Sequence, residues 1–148
     1  MRWMVALVVL TFVGAGIRPL RADLKAAMAE QDLGKRSKLA LDNAAVALKA
    51  AREAYNQGDK EKATGATAEF VASIDLASES LKATGKNPRK SPKWFKQAEI
   101  ATRDLIKKLD TFQRDMMFED RPALDKAKSR TQEVHDELLL GLMEGKRK

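Results

Sequence analysis

His135 is the only histidine in the chain, and Glu133, Asp136 and Glu137 stand around it. An imidazole among carboxylates can move protons or hold a metal. A metal site wants a second nitrogen donor, and the sequence offers none. Nothing marks a carboxylate-only site either. At helical spacing His135 flanks Val134 and Leu138, at the edge of an apolar seam, where a lone histidine ordinarily bonds a neighbour. Cysteine is absent, which excludes disulfides, thiolate metal sites, cysteine nucleophiles and a lipidated N-terminal cysteine. No glycine-rich phosphate loop, nucleophile elbow, His-Glu zinc helix or calcium loop occurs, and no carboxylate pair stands out. Catalysis is not expected.

A second cluster has different chemistry. Lys86, Arg89, Lys90, Lys93 and Lys96 lie around Trp94 and Phe95, and residues 86–96 contain no acid. Cations beside an aromatic side chain suit an anionic partner, whether a phospholipid headgroup, a cell-wall polymer or an acidic protein surface. The plainer reading is that Trp94 and Phe95 close the end of a bundle while the lysines keep a loop in solution. Nucleic acid is not expected, because no recognition motif accompanies the charge. Near the C-terminus, Leu138, Leu139, Leu140, Leu142 and Met143 form an apolar face broader than one packing stripe. Leu139, Leu142 and Met143 are candidates for a homodimer contact or a lipid contact. Burial against Leu24, Ala27 and Met28 is the alternative.

The elements that must carry these residues are helices. Phe95, Ala98, Thr102, Leu105, Leu109, Phe112 and Met116 step by three and four, as do Leu124, Ala127, Thr131, Val134, Leu138 and Gly141. That spacing lays one buried seam along each of two helices. Leu41, Leu48 and Tyr55 mark an earlier helix over 35–57, with Ala44, Ala45 and Ala51 beside them. Ala63, Thr67, Phe70, Ile74, Ala77 and Leu81 mark the next, over 60–84. Gly58 and Gly85 read as helix stops, and Asp59 as an N-cap. Residues 85–92 carry two prolines and form the long connection, with Ser91 as cap and Pro92 as first helical residue of a helix reaching Phe118. Asp120 is expected to cap the last helix, with Pro122 in its first turn. Residues 23–34 give a short lead-in helix, or the first turns of one long helix through Gly34.

The expected fold is all-α: a single domain over 23–145, an up-down-up-down antiparallel four-helix bundle. A pair of tetratricopeptide-like hairpins is the competitor. Ala51, Ala54, Tyr55, Gly58, Asp59 and Ala63 resemble the junction of such a repeat, but nothing recurs at that family's period.

Residues 1–22 read as a targeting segment. Arg2 precedes an apolar run from Met4 to Val13, and Ala22 or Ala15 offers a small residue at a cleavage point. An uncleaved N-terminal anchor is the alternative. Either way a periplasmic or secreted domain is expected. Lys146, Arg147 and Lys148 form a basic tail. The net charge of +7 over 148 residues includes Arg2, Arg18 and Arg21; without 1–22, 25 basic residues face 21 acidic ones, a mild +4. With 5% aromatic and 33% charged residues, composition favours helix over sheet.

One resemblance adds a cofactor. The mature region resembles the soluble periplasmic four-helix b-type cytochromes. The likeness rests on Ala22-Asp23-Leu24 followed by Met28, on Lys82-Ala83-Thr84 entering a proline-bearing loop with Lys90-Ser91-Pro92, on Phe95, and on His135 in the fourth helix. In that family a methionine near the mature start and a histidine of the last helix hold haem iron axially. The resemblance implies haem b held by Met28 and His135. Three functions are thus in view: a non-catalytic binding, structural or accessory bundle; a haem electron carrier; and a binder of anionic surfaces through the basic loop.

Overall fold

The computed structural model describes residues 23–144, so residues 1–22, where a targeting segment is expected, and the basic tail lie outside the described residues. Five α-helices follow one another: α1 (Leu24–Ala29), α2 (Leu33–Asn56), α3 (Lys60–Ala83), α4 (Lys93–Asp115) and α5 (Asp125–Met143). Among the described residues there is no strand. The four long helices alternate in direction and pack into one all-α bundle, and α1 is the short lead-in.

The seams are buried as their spacing requires. Phe70, Ile74 and Leu109 have no exposed surface, and Phe95, Leu105, Phe112, Leu124, Val134 and Leu138 join them in one core. Alanines at 40, 44, 47 and 51 on α2 let α3 approach closely, so these two helices form the tightest pair. Several buried hydroxyls are satisfied within their own helices, whereas the Ser37 hydroxyl is buried without a hydrogen-bond partner among the described residues. Ser73 donates to Glu69 O at 2.8 Å, Thr102 to Ala98 O at 2.8 Å and Thr131 to Ala127 O at 2.7 Å. Asn43 crosses from α2 and donates to Ser73 Oγ at 2.9 Å and, at 3.4 Å, to Glu69 Oε1, a polar bridge inside the α2–α3 pair.

The two hairpins lie side by side in the same sense. Gly34 meets Trp94 and Arg52 pairs with Asp115, so α2 runs alongside α4 in parallel. Asp75 pairs with Arg130 at 2.6 Å and Lys82 with Glu137 at 2.8 Å, which does the same for α3 and α5. α3 and α4 are then diagonal neighbours. The connection between them must cross the end of the bundle, and this is why it is the long one.

The turns confirm most of the punctuation and correct part of it. Gly58 (φ 78°) and Gly85 (φ 63°) take the left-handed conformation that stops a helix. Asp59 caps α3 by accepting from Lys62 N at 3.0 Å. The break before α2 falls at residues 30–32, not at Gly34, because Asp32 caps α2 through Lys35 N and Gly34 is already helical. Ser91 does not cap α4. Pro92 occupies that position without a side-chain bond, and Asn87 orders the loop by accepting from Arg89 N at 2.9 Å. α4 ends at Asp115 rather than at Phe118. A 3-10 segment, Phe118–Leu124, follows it and contains Asp120, whose carboxylate bonds Tyr55 and Lys60 instead of capping α5.

Candidate anionic-surface site

Five segments meet at the end of the bundle that carries residues 84–92: α1, the start of α2, the end of α3, the start of α4 and the end of α5. The α4 seam turns Phe95 inward, where it is 7% exposed. Its neighbours Lys93 and Lys96 are therefore turned to solvent, and Lys86, Arg89 and Lys90 are exposed on the loop. Among the described residues, none of these five cations has a carboxylate within the 4.0 Å of an ion pair.

Four acids at this end have partners of their own, while Glu144, at the close of α5, is exposed. Asp23 accepts from Lys25 N, Glu30 from Asp32 N and Asp32 from Lys35 N, all at 2.9–3.0 Å. Glu137 is paired with Lys82. The bond from Lys35 N holds the Asp32 carboxyl below its ordinary range, and the positive charges of Lys35 and Lys86 act in the same direction. Lys86 of the loop therefore stands near the α1–α2 junction, which draws the basic loop and the start of α2 into one positive face.

Trp94 is half-buried and held on both sides. Gly34 approaches the indole so closely that a Cβ there would overlap its pyrrole edge. Lys93 Nζ lies 4.6 Å from the ring centroid, a cation–π contact. The aromatic is thus a fixed platform in the positive end, with only part of its surface free. At the same end the close of α5 leaves Leu140 57% and Met143 60% exposed, with Leu139 at 39%. Leu142 is partly buried against the core, and Gly141 packs against Pro88 of the loop. Leu24 and Ala27 of α1 turn into the core, while Met28 is 58% exposed. The broad apolar face of α5 is therefore not covered by α1. Its outer residues lie open at the end of the bundle that carries the cations.

His135 and Met28 are placed apart. His135 faces α4, with Nδ1 3.1 Å from Thr102 Oγ1 and Nε2 3.9 Å from Glu99. The Thr102 hydroxyl donates to Ala98 O, so it can accept from His135 Nδ1–H. α1, which carries Met28, packs on α2 and α3 instead. Three cavities of about 510, 460 and 260 Å³ are described, and neither residue lines any of them. As placed, the two side chains form no axial pair, and the residues present do not fit a haem. Among the described residues no group of three or more His, Cys, Asp or Glu is disposed to hold a metal. No described helix is long and apolar enough to cross a membrane.

The loop cations and Trp94 are evident in sequence as a cluster. The contribution of Gly34 and Asp32 is not, because it depends on α2 lying beside α4, and no local pattern encodes that.

Comparisons with known protein families, with characterised proteins and with solved structures found no match.

Proposed function

We propose that this chain is an exported, non-catalytic helical-bundle module whose basic end docks on an anionic phospholipid surface. The observation that carries the reading is the group of five exposed cations, Lys86, Arg89, Lys90, Lys93 and Lys96, without carboxylate partners among the described residues, around a fixed Trp94. A lysine or arginine close to an anionic leaflet contributes about 1 kcal/mol, so five supply a useful but reversible attraction. Cations alone would suit any polyanion. Met28, Leu140 and Met143, exposed at the same end of the bundle, favour a surface that accepts apolar side chains as well as charge. Residues 1–22, with their apolar run, join the described chain at Asp23, at this same end. A cleaved leader and a retained anchor are both compatible with such docking.

Co-sedimentation with vesicles tests it. The full chain is expected to bind vesicles containing phosphatidylglycerol, to ignore vesicles of phosphatidylcholine, and to be released as salt is raised toward ~1 M, where screening acts within about 3 Å. The triple variant Lys90→Glu, Lys93→Glu, Lys96→Glu should lose most of this binding while keeping its helicity. Binding unaltered by the three changes would remove the basic end as the site.

A further inference from the structure

Toward the opposite end of the molecule a gap lies between the two hairpins. Between the Asp75–Arg130 pair and the Lys60–Asp120 pair, α3 and the facing chain leave an open groove of about 510 Å³. The cause is in the sequence. α3 presents Ala63, Thr64, Thr67 and Ala68 to the gap, and the facing chain presents Ala123 and Ala127, all too small to fill it. Phe112, Met116 and Leu124 make an apolar floor. The α3 side of the lining runs from Lys60 to Val71, about 16 Å of helix, so the space is long rather than round.

The two ends of the groove differ in charge. At one end Lys60 Nζ donates to Asp120 Oδ1 at 2.8 Å, and the Tyr55 hydroxyl donates to Asp120 Oδ2 at 2.9 Å. That cluster is internally neutralised. At the other end Lys126, one residue from the buried Ala127, lines the rim. Among the described residues Lys126 has no carboxylate within 4.0 Å. The parallel run of α3 and α5 sets Lys126 level with Val71, away from Lys60.

From these features we infer that the groove holds a single-chain anionic amphiphile. Its headgroup lies at Lys126, and its alkyl chain runs over Ala127, Thr67 and Ala63 toward Phe112 and Met116. A volume in the roughly 300–1,000 Å³ range, an apolar lining and one unpaired charged group at the mouth are what such a ligand requires. This site is separate from the basic end and stands or falls independently of membrane docking.

The probe is dodecanoate, titrated into the full chain below its self-association concentration by calorimetry and by amide NMR. One saturable site is expected, with shifts at Ala63, Thr67 and Ala127. Lys126→Glu should weaken it about tenfold or more, the effect of one charge-assisted contact. Ala68→Trp, at an exposed position on the groove wall, should block it while the thermal transition stays intact. Dodecyl maltoside, which has the chain without the charge, should bind more weakly and be indifferent to Lys126→Glu. The variant Lys90→Glu, Lys93→Glu, Lys96→Glu should bind dodecanoate as the parent does. A parallel titration with a single-chain phosphatidylglycerol distinguishes a carboxylate from a phosphate headgroup, and saturable binding of either upholds the site. Absence of saturable binding to both overturns the inference. So does binding that both groove variants leave unchanged, or NMR shifts confined to the Trp94 end.

Discussion

The Tyr55 hydroxyl donates to Asp120 Oδ2 at 2.9 Å and accepts from Met117 N at 2.9 Å, so one side chain of the first hairpin closes the turn of the second. Its ring meets Phe112 edge-on, with centroids 5.9 Å apart. Tyr55→Phe keeps the ring contact and removes both hydrogen bonds. The expected cost is about 1–2 kcal/mol in urea unfolding, with little change in the slope of the transition. A neutral result would mean that the tie contributes nothing.

The same cluster sets a pH dependence. Lys60, then Tyr55, holds the Asp120 carboxyl below its ordinary 3.8, and Asp120 holds the Lys60 ammonium above its ordinary 10.5. A carboxyl lowered by folding adds stability that is fully present above its unfolded value and fades as pH falls through the lower folded value. An ammonium raised by folding adds stability that is present below its unfolded value and fades as pH rises through the folded one. The pair is therefore intact across neutral pH. The melting-temperature gap between the parent and Asp120→Asn should stay constant from about pH 5 to pH 9 and close below the ordinary carboxyl value. A gap that persists at pH 2 would show that Asp120 acts through shape rather than charge.

Gly34→Ala tests the platform. An alanine is the better helix former by up to about 1 kcal/mol, yet its Cβ would overlap Trp94. The indole must move, at an expected net cost of about 1–2 kcal/mol. In a Trp3→Phe background the emission of Trp94 should shift to the red. An unshifted, more stable variant would contradict the close packing of Gly34 on Trp94.

Haem addition should give no low-spin six-coordinate spectrum, because Met28 and His135 lie on different helix pairs and His135 already has Thr102 as partner. A sharp Soret band that disappears with both His135→Ala and Met28→Ala would restore the electron-carrier reading.

Much of the fold was legible because the helix seams are regular. The residues from Phe95 to Met116 and from Leu124 to Leu138 that step by three and four are the ones found buried. Gly58 and Gly85 stop helices for a reason that one residue carries. What the pattern left open is how one hairpin lies on the other. Alternating helix directions are the same whether α3 or α2 lies beside α4. The choice rests on contacts far apart in sequence, such as Gly34 with Trp94 and Asp75 with Arg130. Asp120 misleads for a related reason. An acid before a helix has the chemistry of a cap, but here two partners from the other hairpin hold its carboxylate. Buried Ser73, Ser78 and Ser80 interrupt the apolar stripe of α3, and the groove arises from residues too small to announce a gap. Of the candidate site, the cations and Trp94 could be read directly; the open Leu140 and Met143 at the same end could not, since α1 was an equal candidate to cover α5.

Docking through the basic end is tested most directly by which end of the molecule meets lipid. The chain has no cysteine, so Met143→Cys and Phe118→Cys each give a single labelling position, one at each end of the bundle and both exposed in the parent. With an environment-sensitive fluorophore at each, added phosphatidylglycerol vesicles should blue-shift the label at 143, leave the label at 118 in water, and lose the effect at high salt. Equal responses at both ends, or a response at 118 alone, would contradict docking through Trp94 and its cations.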